Sequence, residues 1–285
     1  MLSIIRAKAR GAEEVPVPII TISRGSFSGG KMLAEAVAKR LGYRSIDRDQ
    51  VIQKAAAWGV SQEDLRTAIE KPPTFLGQSQ HTKYIYLAFI QAALTEEVRN
   101  GNAIYHGLAG HLLLGKGPHV LRTRIIAPME FRIAKVQERL QYSRKDAIAY
   151  IEKMDEDRRK WTQFLYSVDW RDASLYDLVL NLEQMSLEEA CEVVCTVSRL
   201  NCFASTPETQ RALDDLAKAS RVKASLAMNP ATTDLQFNVM AHQGSVAIKG
   251  EIVSPQQIKT VARIARTVPG VAEVDVGELE LATRF

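Results

Sequence analysis

The succession of apolar strand, glycine-rich turn and amphipathic helix in residues 16–42 restricts this chain more than any other feature. The run VPVPIITIS is short and β-branched and ends at Ser23. RGSFSGGK follows. MLAEAVAKRLGY then sets Leu33, Ala34, Val37, Ala38 and Leu41 at helical spacing, with Gly42 as the stop. Residues Gly25, Ser26, Phe27, Ser28, Gly29, Gly30 and Lys31 satisfy the phosphate-loop spacing G-x-x-x-x-G-K. Glycines let successive backbone N–H groups curl around an anion with no Cβ in the way. The helix that follows turns the positive end of its dipole on the same anion. Lys31 adds a mobile charge for the outer phosphates. The pattern predicts a nucleotide held by Arg24, Gly25, Ser26, Ser28, Gly29, Gly30, Lys31 and Met32. The duller reading is a strand-to-helix turn with an accidental lysine.

Met32 stands where such a loop normally has Ser or Thr to ligate Mg²⁺. Magnesium would then need phosphates, water and another residue, with Ser26, Ser28 or Asp47 as candidates.

Downstream, strand and helix patterns alternate. SIDRDQVIQKAAAWG reads as a short strand or turn entering a helix. Residues 61–80 read as an acidic helix followed by the loop KPPTFLGQSQ, and KYIYLAFIQAALTEEVRNG as a strong helix stopped at Gly101. NAIYHGLAGHLLLG reads as an apolar strand entering a second glycine-containing turn, and HVLRTRIIA and LYDLVLNL as strands, with a charged helical stretch from Met129 to Arg159 between the last two. MSLEEACEVVCTVSRL closes the series. Such alternation predicts an α/β domain, a P-loop parallel sheet flanked by helices. Near residue 204 the pattern changes to a small α+β unit. The expected division is a leader over 1–15, a P-loop domain over 16–203 and a second, smaller α+β domain at the C-terminus over 204–285.

Composition excludes several classes. Three cysteines, Cys191, Cys195 and Cys202, do not make a disulfide framework, and no histidine lies near them to complete a metal site. The leader lacks the continuous apolar core of a secretory signal, and no apolar run is long enough to span a membrane, so a cytoplasmic protein is expected. No basic stripe with interleaved aromatics suggests nucleic-acid binding. The net charge of +4 suits phosphorylated small molecules equally well. His106 and His111 flank a strand end, but their spacing fits no standard metal pair.

ITISRGSFSGGKMLAEAVAKRLGYRSIDRDQVI resembles the start of the cytidylate kinase-like family through Ser23-Arg24, Ser28 to Lys31, Leu41-Gly42 and Asp47-Arg48. MDEDRRKW resembles the arginine-bearing lid of nucleoside monophosphate kinases, with Asp157, Arg158 and Arg159. LYDLVLNLEQMSLEEACEVV resembles their closing strand and helix, with Asp177 and Asn181. The resemblance covers residues 16–200. It implies ATP-dependent phosphorylation of a nucleoside monophosphate such as CMP, or a related small acceptor, with ATP and Mg²⁺. It implies that Lys31, Arg158 and Arg159 act on the transferring group, and that Asp47, Arg48 and Asp177 meet the acceptor. The family usually carries a Gly-Arg dipeptide for the acceptor phosphate, and here Gly107 is followed by Leu108. Leucine makes no bidentate phosphate contact. Either another arginine takes over, such as Arg122 or Arg124, or the usual acceptor is not used.

Residues 206–280 resemble a BON domain through Gly244 before the strand VAIKG, Gly250 within it and the VPGV turn. That resemblance implies a lipid, membrane or protein partner and no catalytic residue. A catalytically weak nucleotide sensor whose C-terminal domain engages such a partner is the competing expectation.

Overall fold

The computed structural model describes residues 18–70, 80–107, 109–115 and 119–282. The expected leader, most of the loop KPPTFLGQSQ and Leu108 lie outside the described residues.

The first domain runs β1 (Ile19–Arg24), α1 (Gly30–Leu41), β2 (Arg44–Asp47), α2 (Arg48–Ala55), α3 (Gln62–Glu70), α4 (Gln80–Val98), β3 (Ala103–His106), α5 (Gly110–Leu113), β4 (Val120–Ile126), α6 (Met129–Leu140), α7 (Arg144–Tyr166), β5 (Leu178–Asn181) and α8 (Leu187–Ser198). Its sheet has the order β2-β3-β1-β4-β5, with every pairing parallel. β1 is central and buried on both faces, as its unbroken apolar run requires. Ile20 and Ile22 pack with Leu33 and Val37 of α1 and Val194 of α8. Ile19 joins the opposite core with Phe89 and Leu94 of α4. The sequence expectation of an α/β P-loop sheet with flanking helices is met.

The charged stretch from Met129 is two helices, not one. Gln141 takes a left-handed conformation, φ +57°, and closes α6. Ser143 then caps α7 by accepting the Asp146 N–H. No glycine or proline marks this break. Ile133 and Val136 of α6 pack on Ala147 and Ile151 of α7. Cys191 and Cys195 are plain buried thiols on α8, and burial followed by the neighbouring Cys191 pushes Cys195 up to about 11. Cys202 is exposed.

The second domain contains α9 (Pro207–Met228), β6 (Phe237–His242), β7 (Ser245–Ile252), α10 (Pro255–Arg266) and β8 (Glu273–Leu281). β6 is antiparallel and β8 parallel to the central β7. Val222 and Leu226 of α9 and Val261, Ile264 and Ala265 of α10 cover one face of this sheet.

α9 also packs on the first domain. Its Leu213, Ala224 and Ala227 enter the α4 core. The Tyr84 hydroxyl on α4 donates to the Phe237 carbonyl at 2.6 Å and accepts the Phe237 N–H at 2.8 Å. Arg99 reaches Asp214 at 2.8 Å. The physical reason lies in α4 itself, whose sequence is apolar around most of its circumference, so one layer of neighbours does not cover it. Among the described residues no helix is long and apolar enough to cross a membrane.

Candidate functional site

At the end of β1 the backbone turns sharply and enters α1 at Gly30. Gly29 holds the turn with φ +85°, a region that favours glycine. No side chain caps α1. Among the described residues, no hydrogen-bond acceptor takes the N–H of Phe27, Gly29, Gly30, Lys31 or Met32. These amides form an electropositive nest at a helix N-terminus.

Side chains brace this loop from behind. The buried Ser28 hydroxyl donates to the Gly25 carbonyl at 2.7 Å. The Asp155 carboxylate on α7 accepts the Ser26 N–H at 3.0 Å and the Ser26 hydroxyl at 2.8 Å. Arg132 on α6 donates to the Ser26 carbonyl at 2.7 Å and pairs with Asp155 at 2.5 Å.

Arg24 lies across the first turn of α1. A Cβ at Gly30 would stand 2.5 Å from its Cδ, so only glycine admits it there. The Arg24 guanidinium is 3.4 Å from His106 Nδ1. Burial, then the Arg24 charge, brings His106 down to about 4, so the ring is neutral and can accept from Arg24. Arg158 donates to the Arg24 carbonyl at 2.5 Å and stands 3.8 Å from Asp155. Burial leads the causes that push Arg158 down to about 10, and the nearby Arg24 adds to it. Both arginines remain cationic: the carboxylate that bears on Arg24 is Asp47, and the one that bears on Arg158 is Asp155, which Ser26 and Arg132 also engage.

Beside the loop opens a cavity of about 1070 Å³. Ser26, Ser28, Gly29, Gly30, Lys31 and Met32 form its floor, and Arg24, Arg158 and His106 one wall. α6 and α7 add Lys135, Arg139, Lys153 and Asp157, and the β2–α2 corner adds Asp47, Arg48 and Asp49. Lys31 is half exposed and 3.7 Å from Glu35, a weak surface pair that leaves the ammonium available.

A family model for the cytidylate kinase-like family matches residues 19–184. The chain belongs to the cytidylate kinase-like family. A BON domain model matches residues 214–283. The chain is similar to the cytidylate kinase of Methanothrix thermoacetophila, 27% identical over 165 residues that cover 57% of this chain and 87% of that protein. It is similar to the cytidylate kinase of Pyrococcus horikoshii at 25% over 178 residues, covering 62% and 85%. A shikimate kinase structure from Bacteroides thetaiotaomicron aligns at 11% identity and TM-score 0.42, covering 65% and 99%.

Two residues that the family resemblance brought to the site do not line this cavity. Arg159 pairs with Glu156 through two contacts of 2.7 Å. Successive helical residues point about 100° apart, and here Arg158 faces the loop while Arg159 turns to Glu156 on its own helix. Asp177 precedes β5 and grips Arg122, with its oxygens 2.6 and 3.0 Å from the guanidinium nitrogens. That pair is level with Thr21, mid-sheet, and not with the loop end of β1. Arg122 is therefore committed, and Arg124 donates to the Trp170 carbonyl in the interior. Neither lines the cavity beside the loop.

Asp47 does line the cavity, but one of its oxygens caps α2 by accepting the Gln50 N–H at 2.8 Å. Sequence reasoning missed Asp155, Arg132 and Arg139. Each lies in a charged helical run whose inward members carry no local mark.

Proposed function

We propose that this chain is an ATP-dependent kinase that transfers a phosphoryl group to a nucleoside monophosphate such as CMP, or to a related small acceptor. The observation that carries the reading is the row of unpartnered loop amides facing the same cavity as Arg24 and Arg158. A buried cation excess beside free N–H donors is stabilised by a polyanion. The loop amides and Lys31 would hold the donor phosphates, with Arg158 neutralising the transferring group. An acceptor oxygen attacks the γ-phosphorus, the bond to the bridging oxygen breaks, and the charge passes to the departing diphosphate. Positioning and charge neutralisation supply most of the acceleration. Asp47, Arg48 and Arg139 lie where an acceptor would enter.

The residues present do not make a magnesium cage. Met32 has no oxygen ligand, the Ser28 hydroxyl is spent on the loop backbone, and among the described residues no three carboxylates or histidines converge. Magnesium would reach the site on the donor phosphates, so no role here depends on a protein-held ion.

Met32 and the absence of a replacement acceptor arginine from β4 favour a second reading, a nucleotide-binding regulator with slow turnover. A phosphoryl-transfer screen with ATP and a panel of nucleoside monophosphates, with Lys31→Ala as control, separates the two. Turnover that Lys31→Ala abolishes supports the kinase; retained ATP binding with no turnover of any acceptor supports the regulator. For the C-terminal domain we propose a protein partner. The exposed residues of β7 and β8 include Glu251, Glu273, Asp275, Glu278 and Glu280 against Lys249, a face that repels anionic lipid.

A further inference from the structure

The segment between α7 and β5 carries Trp170, which is only 2% exposed. Two guanidinium groups share its indole. The Arg124 guanidinium carbon is 4.2 Å from the ring centroid and that of Arg158 is 4.9 Å away. The Trp170 carbonyl accepts from Arg124 and, at 2.7 Å, from the Tyr176 hydroxyl. That hydroxyl is also 3.1 Å from Ser23 Oγ on β1. Trp170 is thus tied to β1 and β4 on one side and to the lid arginine on the other. Its indole N–H is buried without an acceptor among the described residues, so the ring contributes through its face and not as a donor.

A buried arginine is usually held by a carboxylate, which fixes its direction but spends its donors and its charge. An aromatic face holds the cation through the ring quadrupole and leaves the N–H fork available. Arg158 has one carboxylate neighbour, Asp155, and that group is already taken by Ser26 and Arg132. Resting on the kinase reading, we infer that Trp170 is a positioning residue that holds Arg158 as an underpaired cation aimed at the donor phosphates. Arg124, which the sequence offered as a phosphate ligand, is the strut beneath it.

The test compares Trp170→Phe with Trp170→Leu in the full chain. Phenylalanine keeps an aromatic face and leucine does not. Trp170→Leu is expected to lower kcat about tenfold or more and Trp170→Phe by less than about threefold, with KM for ATP nearly unchanged in both. ATP with magnesium should also change the tryptophan emission of the wild type, and Trp170→Phe should abolish that change. A folded Trp170→Leu variant with wild-type kcat overturns the inference, as does an ATP-dependent emission change that survives in Trp170→Phe. Should Trp170→Leu fail to fold, Trp170→Phe and the emission readout decide. Should the wild type bind ATP, seen as a thermal shift, yet phosphorylate nothing, the kinase reading fails on its own. The positioning role is then judged by emission, and a wild-type emission blind to bound ATP overturns it.

Discussion

Asp155 on α7 takes both the backbone N–H and the hydroxyl of Ser26, at 3.0 and 2.8 Å, and so ties α7 to the phosphate loop before any nucleotide arrives. The loop is ordered at its first residues and open at its last, where the amides of Gly29 to Met32 stand free of acceptors among the described residues. Ordering a loop in advance lowers the entropic cost of filling it.

Removing this tie leaves Ser26 and Arg132 without their partner. Asp155→Ala is expected to cost about 1–3 kcal/mol of stability, read as a lower urea midpoint with an unchanged slope. Asp155→Asn retains an acceptor for Ser26 and should lose less. An alanine variant as stable as the wild type would refute the brace.

Two ionic contacts that look alike in sequence should behave differently. On the kinase reading, Arg158→Ala is expected to lower kcat by about a hundredfold, because the charge it would meet develops during transfer. Arg122→Ala and Asp177→Asn should leave kcat and both KM values within about twofold and lower the melting temperature instead. Steady-state kinetics on the folded variants checks this, and a large KM effect for the acceptor at Asp177 would restore that residue to the site.

Stability should fall in acid through two buried histidines. Burial brings His106 to about 4 and His111 to about 3, both below the ordinary histidine value. The unfolded chain therefore binds more protons than the folded one between these values and about 6.5. The contribution is complete above pH 6.5 and is lost as pH falls toward 4 and then 3, at most about 1.4 kcal/mol per pH unit for each ring. The His111 ring sits 4.6 Å from that of Tyr176, with no hydrogen-bond partner for either nitrogen among the described residues. His111→Phe should flatten the melting-temperature profile between pH 7 and 4; an unchanged profile would contradict this.

The C-terminal domain should not be removable without cost. Tyr84→Phe deletes both bonds to Phe237 and is expected to cost about 1–3 kcal/mol. Truncation after residue 203 uncovers the α4 face now filled by Leu213, Ala224 and Ala227. The truncated chain should melt lower than the full chain or aggregate, as circular dichroism and light scattering would report.

The phosphate loop was legible in sequence because strand, glycines, lysine and helix are contiguous and each has one local meaning. Its supports were not. Asp155 and Arg132 lie more than a hundred residues from Ser26, inside runs of charge that read equally well as a solvated helix face. The break between α6 and α7 was hidden because Gln141, neither Gly nor Pro, adopts the left-handed turn. Family resemblance identified Arg158 and Arg159 together, but only helix phase tells which of two neighbours faces the loop. The contact between α4 and α9 was foreshadowed in the apolar composition of α4, which left unsaid what would cover it.

The central claim is that the loop at residues 25–32 binds the phosphates of a nucleotide. Titration calorimetry of the full chain with ATP and magnesium tests it most directly, beside Gly30→Ala, whose added methyl would collide with Arg24. One ATP per chain, bound by the wild type and weakened at least tenfold in a folded Gly30→Ala variant, is the predicted result. No binding to the wild type, or equal binding to both, would contradict it.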